Sequence, residues 1–461
     1  MASSVFHNLL TFMSVASDHA SPLPLPCTGF EHYMFTDEWP SHPMVSYLEV
    51  ELTGPLELEA LSESLQDAYA RHPLLAAVIE RRRGRGICWV AADPPTLRLL
   101  ERGPEDLPSV ESEYLDLSAE PGSRVYLHWG PERSTLYFFV HHACADALGM
   151  FTFLADWLNA YGRLLGRDTN LPDLPPVNWN LLHDRESLRG VRSPLPLRER
   201  LAKFAKILRT SKPRPLALGE EIATERMLSP GHCEYRFTVD EFRQLKTFTQ
   251  REGITLNDLL TAAMLQALAV WQRQHGDAQA DDLLRLIVPV SRRTLQDREL
   301  SAVNKIGYKF ISRTLRQVDQ GVLRDVHKEL EFVRQNRLGI INLLKAVTWM
   351  QRLRLTRVML PKSRCFATAV FSNLGDVGRL LSDRLPLQDG RWTVAGLTVQ
   401  RVQCAPPRRP LTHTTVVVIG YGNTVTLCSR GDGRGLGPAQ TQSFLNLLGQ
   451  EVRRLAELEM R

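Results

Sequence analysis

The chain has 461 residues, with 56 Lys and Arg against 51 Asp and Glu, 43% hydrophobic and 23% charged residues. That length is too great for one ordinary core and predicts two or three domains, while the composition excludes wholesale disorder, a fibrous repeat and a small disulfide scaffold. A formal excess of +5 is mild and gives no concentrated basic footprint for nucleic acid.

In chain order, the N-terminal stretch MASSVFHNLLTFMSVASDHA lacks the basic leader of a signal peptide and is interrupted by Asp18. Val45 to Thr53 alternates Leu48, Val50 and Leu52 with Tyr47, Glu49 and Glu51, the period of a half-buried strand, and Gly54-Pro55 ends it. A helix is predicted from about Leu56 to Arg71, with Leu58, Leu61, Leu65 and Tyr69 at helical spacing and Pro73 closing it. Leu74 to Ile79 and Ile87 to Ala91 then read as a hairpin around the basic turn Arg81 to Gly86, a solvated loop or a phosphate contact. Arg124 to Trp129 and Thr135 to Val140 are strands, the second so continuously apolar that it belongs at the centre of a sheet. Met150 to Leu165 is a strongly amphipathic helix.

From about Gly166 to Glu220 prolines break the pattern, and ten Lys or Arg residues fall between Arg185 and Arg214. This predicts a crossover linker carrying a short basic helix near Leu197 to Leu208, either solvated or a dock for an acidic partner. Beyond it, Thr255-x-x-Asp258 opens a helix running to about Gln272 with a capping box, and Leu283 to Val290 is an apolar strand. Thr414 to Ile419 and Thr424 to Cys428 form a hairpin across Gly420 to Asn423, and a helix of about Gln440 to Leu458 ends the chain. Strands and helices therefore mix in both halves, which predicts an α/β protein of two lobes: residues 1–180, a linker at 181–225, and residues 226–461.

The seven cysteines, Cys27, Cys88, Cys144, Cys233, Cys365, Cys404 and Cys428, are scattered and never form a C-x-x-C pair. Neither a disulfide framework nor a thiolate zinc site fits, and a reducing, cytoplasmic setting is expected. No run approaches the length of a membrane span.

The chemistry concentrates at Phe138-Phe139-Val140-His141-His142-Ala143-Cys144-Ala145-Asp146-Ala147-Leu148-Gly149. A buried strand delivers two histidines at its end, and an aspartate follows the second by four residues. Successive strand side chains point to opposite faces, so His141 and His142 do not readily share a metal ion, and His142 with Asp146 is only two ligands. Cys144 as a nucleophile beside a histidine meets the difficulty that such pairs normally form from distant segments. Two satisfied core histidines are the structural alternative. General acid/base catalysis is the fourth reading, because imidazole titrates near neutrality.

HHxxxD at the end of a strand resembles the signature of the superfamily that holds chloramphenicol acetyltransferase, the condensation domains of nonribosomal peptide synthetases, plant BAHD acyltransferases, wax ester synthases and polyketide-associated acyltransferases. Arg71-His72-Pro73-Leu74-Leu75, with Trp89 after it, is similar to the family's R-H-P-x-L segment. Thr255 to Leu260, Pro289-Val290-Ser291-Arg292-Arg293, Asn304-x-x-Gly307 and Phe371-Ser372-Asn373-Leu374-Gly375 resemble further family segments, in order, across residues 45–432. The usual HHxxxDG carries Ala147 here in place of glycine, with Gly149 two residues on, and the D-F-G-W-G motif of the plant subgroup is absent.

The resemblance implies two lobes, each a mixed sheet with flanking helices, and an active-site tunnel between them. It implies acyl transfer from acyl-CoA or an acyl carrier protein to a small alcohol or amine, with no metal, no cofactor and no covalent acyl-enzyme. It assigns His142 as general base, His141 as its support, and Asp146 as a structural acid paired with Arg293, or with Arg292 as fallback. Gly149 takes the displaced glycine role, and Ser372 and Asn373 line the tunnel and meet the oxyanion. A monomer is expected, acting in natural-product or lipid tailoring. A freestanding condensation enzyme using carrier-bound donors and a binding module that has lost the chemistry are the alternatives.

Overall fold

In the computed structural model, residues 22–109, 112–168, 170–186, 198, 212–219, 231–336, 347–348, 350–351 and 353–458 are described. The expected basic helix near Leu197 to Leu208 lies outside them, apart from Arg198.

The first lobe is built on a seven-stranded sheet in the order Leu387–Gln388, Arg391–Val394, Leu397–Ala405, Val45–Thr53, Arg133–His141, Ser123–His128, Leu97–Leu100. Arg133–His141 is interior to this sheet, and from Leu136 onward every one of its residues is buried, which is why its sequence is unbroken apolar rather than alternating. The helices Leu58–Arg71 and Ala147–Leu165 pack against each other. Leu61, Leu65, Trp157, Phe153 and Phe138 fill the space between helices and sheet, and the Trp157 indole N–H donates to the Leu61 carbonyl at 2.9 Å. The predicted hairpin is present as Ala77–Arg82 and Gly86–Ala91, but Pro73–Ala76 before it is a 3-10 turn, since Pro73 fixes its φ where a strand would start. Its basic turn, Arg81 to Gly86, is exposed to solvent.

The second lobe has a six-stranded mixed sheet in the order Ile306–Thr314, Leu283–Ser291, Ala369–Asp376, Thr414–Tyr421, Thr424–Arg430, His232–Arg236. Ala369–Asp376 runs parallel to both its neighbours, and the other pairs are antiparallel. The helix Leu256–His275, with Thr255 and Asp258 in a reciprocal capping box, and the closing helix Pro438–Leu455 cover this sheet around a second core.

The lobes do not divide at the crossover alone. Residues 387–405, from the second half of the sequence, form three strands of the first lobe's sheet, and Leu397–Ala405 pairs along Val45–Thr53. The edge of Val45–Thr53 would otherwise expose a row of unpaired backbone groups beside Val50 and Leu52, both buried. Residues 406–413 after this strand then return the chain to the second lobe.

A buried carboxylate adds a second tie. Asp156, on the helix Ala147–Leu165, is fully buried and accepts from Arg71 Nε at 3.0 Å, from His72 Nε2 at 3.2 Å, and from Arg384. His72 Nδ1 in turn accepts the Ala302 N–H at 2.8 Å, and Ser301 donates to the Arg71 carbonyl. Arg71-His72 thus joins the first lobe to the Leu300–Lys305 loop of the second. Burial pushes the Asp156 carboxyl up, but the hydrogen bond from His72 and the charges of Arg384 and Arg71 outweigh it and hold the group below the usual carboxylate range. Asp156→Ala leaves two guanidiniums without their partner and should cost about 3–5 kcal/mol of unfolding free energy, read as a lowered urea midpoint. Because the folded carboxyl titrates lower than the unfolded one, this stabilisation is complete above the usual carboxylate range and declines as pH falls below it, so the wild-type advantage should narrow on acidification.

Candidate active site

His141 ends the central strand, opposite Val45, and His142 opens the turn that follows. The two rings diverge. His141 is buried, its Nδ1 accepting the Ala143 N–H at 3.1 Å and its Nε2 3.3 Å from the Glu38 carboxylate. Glu38 also accepts the Met44 N–H, and the Met44 carbonyl accepts the His142 N–H at 2.7 Å, so His141 braces the backbone beneath its neighbour.

The His142 ring lines a chamber between the lobes. Its Nδ1 donates to the Ala145 carbonyl at 3.0 Å, which fixes the tautomer: Nε2 carries the lone pair. Burial holds the imidazole below its ordinary pKa, the hydrogen bond to Ala145 and the charge of Asp146 only partly opposing this, so the ring is neutral at neutral pH. From the second lobe, Asn304 Nδ2 donates to the His142 carbonyl at 2.7 Å.

Asp146 is the N-cap of the helix Ala147–Leu165, accepting the Gly149 N–H at 2.9 Å. Its other oxygen accepts the Lys305 N–H at 2.8 Å and Arg293 Nη1 at 2.6 Å. Arg293 also reaches the Val303 carbonyl. The fallback, Arg292, instead donates to the Glu186 carbonyl. Gly149 permits a close crossing, although the neighbour is protein rather than a chamber: a Cβ there would stand 3.0 Å from the Val303 carbonyl oxygen and 3.1 Å from its nitrogen.

Ser372 and Asn373 lie on Ala369–Asp376 and also line the chamber. Their side chains differ in commitment. Asn373 donates to Asn257 Oδ1 at 3.1 Å and accepts the Gly375 N–H, whereas no hydrogen bond is found for the Ser372 hydroxyl among the described residues. Tyr308, not singled out by sequence, lines the same chamber, and burial raises its phenol so that it stays a donor. Its signal was faint: one polar aromatic in an otherwise ordinary strand. Cys144, by contrast, is fully buried and outside the chamber wall, and burial pushes its thiol well up, which removes the basis for a thiolate nucleophile. Among the described residues no cluster of three or more His, Cys, Asp or Glu is placed to hold a metal ion.

The chamber, about 110 Å³, shares Leu148, Ser291, Asn373 and Leu374 with a wider cavity of about 1030 Å³ that opens past Arg293, Arg298 and Arg384. The wider space suits a substrate-sized molecule, and the narrower one suits only its reacting end.

No protein-family model matches the chain. It is 25% identical over 441 residues to an uncharacterised protein of Mycobacterium tuberculosis, covering 90% of this chain and 95% of that one. It is 27% identical over 225 residues to the phthiocerol/phthiodiolone dimycocerosyl transferase of Mycobacterium ulcerans, covering 48% and 51% respectively. Among solved structures, the trichothecene 15-O-acetyltransferase of Fusarium sporotrichioides superposes with a TM-score of 0.69 at 14% identity, over 94% of this chain and 95% of that one. The first condensation domain of the calcium-dependent antibiotic synthetase superposes at 0.63 and 15%, over 95% and 97%. The chain therefore shares its fold with both an acetyltransferase and a condensation domain.

Two substitutions test how the site is held. Gly149→Ala should lower stability by about 1–3 kcal/mol, seen as a reduced melting temperature, because Val303 backbone cannot swing aside as a side-chain tip would. Asp146→Ala removes the helix cap and leaves Arg293 unpaired, and should cost about 3 kcal/mol or more or yield insoluble protein; a soluble variant of unchanged melting temperature would refute the clasp.

Proposed function

We propose that this protein is an acyltransferase that moves an acyl group from a pantetheine thioester, acyl-CoA or an acyl carrier protein, to the hydroxyl or amine of a small molecule. The observation that carries this reading is the neutral His142 ring, held in the Nε2 lone-pair tautomer by Ala145 in the wall of an apolar chamber between the lobes. The names of the relatives support it: an O-acetyltransferase, a dimycocerosyl transferase and a peptide-synthetase condensation domain share the fold or part of the sequence.

In this reading the wide cavity and the chamber are one passage, and the reactants meet at His142. Nε2 takes the acceptor's proton as its oxygen or nitrogen attacks the thioester carbonyl carbon. The carbonyl electrons move onto oxygen, and the new oxyanion is met by the Ser372 hydroxyl, with the Tyr308 phenol as a second donor. Collapse restores the carbonyl and breaks the carbon–sulfur bond, and the departing thiolate takes the proton back from His142. No acyl group is ever bonded to the protein, and the chemistry calls for no metal or redox cofactor. Asn373, whose amide is occupied by Asn257 and Gly375, shapes the wall rather than supplying the main donor. Asp146, Arg293 and His141 are positioning residues, acting through the turn that carries His142. The setting proposed is natural-product or lipid tailoring.

His142→Ala should abolish thioester-dependent product formation while the circular dichroism spectrum and melting temperature stay near wild type; unchanged turnover would exclude the general-base role and favour a binding module. Ser372→Ala should lower kcat by about 100-fold with a smaller change in KM, as expected for a donor used mainly in the transition state. Because burial lowers the His142 pKa, the deprotonated, active form persists further into acid than for a free imidazole. kcat/KM should therefore rise with pH through a midpoint below the usual 6.5 and be flat by neutrality.

A further inference from the structure

The charge of this chain is unevenly placed. Between Arg337 and Arg364 the sequence has seven Lys or Arg and no Asp or Glu, so the rest of the chain carries +5 − 7 = −2. The described part of this stretch folds as a knot of turns around the short helix Thr356–Met359. Arg354, Arg357 and Lys362 are exposed there, and among the described residues none of them has a carboxylate partner. Arg357 and Lys362 stand over the ring of half-buried Trp39, at 5.9 and 5.3 Å from its centre. Apolar side chains are exposed in the same knot, Val358 at 76% and Leu353 at 48%.

Three of the cations at the wide cavity are different. Arg293 is paired with Asp146, Lys305 with Asp297, and Arg384 with Asp156. Unneutralised charge lies at the other end of the chamber as well. Phe366 and Arg409 line that end, Arg409 donates to the Leu360 carbonyl of the basic knot, and its guanidinium lies 4.7 Å from the centre of the Phe366 ring.

We propose that the Leu353–Arg364 knot, with Trp39, is a docking surface for an anionic lipid membrane. Free cations interleaved with exposed aliphatic residues and a flanking indole are what a bilayer interface attracts: charge draws the surface to the anionic headgroups, and the apolar tips enter among them. An exposed valine inside an acid-free basic stretch serves a lipid surface better than a nucleotide, which has no use for it. The position matters too. The chamber end borders this knot, so an amphiphile can pass its reactive end toward His142 while its remainder stays with the bilayer. This binding does not depend on the acyl-transfer reading, and its assay contains no thioester.

The full chain is sedimented with vesicles of phosphatidylcholine alone and of phosphatidylcholine mixed with phosphatidylglycerol, at low and at high salt. Wild type should bind the mixed vesicles and release them at high salt. The combined change Arg354→Glu, Arg357→Glu and Lys362→Glu should weaken partitioning by about tenfold or more, and Val358→Asp should weaken it as well. Arg81→Glu with Arg83→Glu, in the solvated hairpin turn, should leave it unchanged. Where the triple reversal fails to fold by circular dichroism, Arg357→Ala with Lys362→Ala replaces it. Equal sedimentation with both vesicle types, binding unmoved by folded variants of the knot, or loss of binding to an acidic carrier protein without any vesicle binding would each overturn the proposal.

Discussion

One carboxylate, that of Asp146, ties together what this site needs. It closes the open end of a helix, where the backbone N–H groups favour an anion, and it accepts from the second lobe both a backbone N–H and a guanidinium. Because the same residue ends the His142–Ala145 turn, the carbonyl that orients the His142 ring is held one residue away from this anchor. The direction of the His142 Nε2 lone pair therefore follows from a salt bridge anchored at the end of its own turn. A buried ion pair is weak evidence for net stability, and its value here is geometric: it admits one arrangement of the turn.

The helix Ala147–Leu165 is pinned twice against the same opposing loop. Asp146 holds Lys305 at its N-cap, and Asp156 reaches Ala302 through His72 nearly three turns later. Gly149 lets the two backbones approach between these points. Each tie alone leaves a hinge, but two ties and a close crossing fix both distance and angle between the lobes. The strand Leu397–Ala405 completes this by weaving the second half of the chain into the first lobe's sheet. On the proposed acyl-transfer reading, a site assembled from both lobes requires such rigidity, since small displacements of a base from its substrate are costly.

Much of this was legible in the sequence because it is local. The unbroken apolar run Leu136 to Val140 gives a central strand, Thr255 and Asp258 give a capped helix, and Val45 to Thr53 gives its strand to the residue. The non-local parts were not legible. Nothing in a period-two pattern tells Val45–Thr53 that its neighbour comes from residue 397 onward. Arg71-His72 is noticeable as a motif, but its partner Asp156 lies mid-helix among apolar residues, where only the folded chain explains a charge. Asp146 could have been read as an N-cap from its place before an apolar helix, a signal separate from the histidines beside it.

Charge shows the same limit most sharply. Arg185 and Arg214 bound a basic stretch in the sequence, yet Arg185 is buried against Glu31 and Arg214 is bonded to Asp282. Arg354, Arg357 and Lys362 look no different on paper, but they have no carboxylate partner among the described residues. Net charge says how many cations exceed anions; only the fold says which remain unspent. Here unpaired cations cluster at one end of the chamber, while Arg293 and Arg384 near the wider cavity are occupied in holding the lobes together. The surroundings of the His142 chamber are therefore electrically asymmetric, with paired arginines on one side and exposed cations on the other.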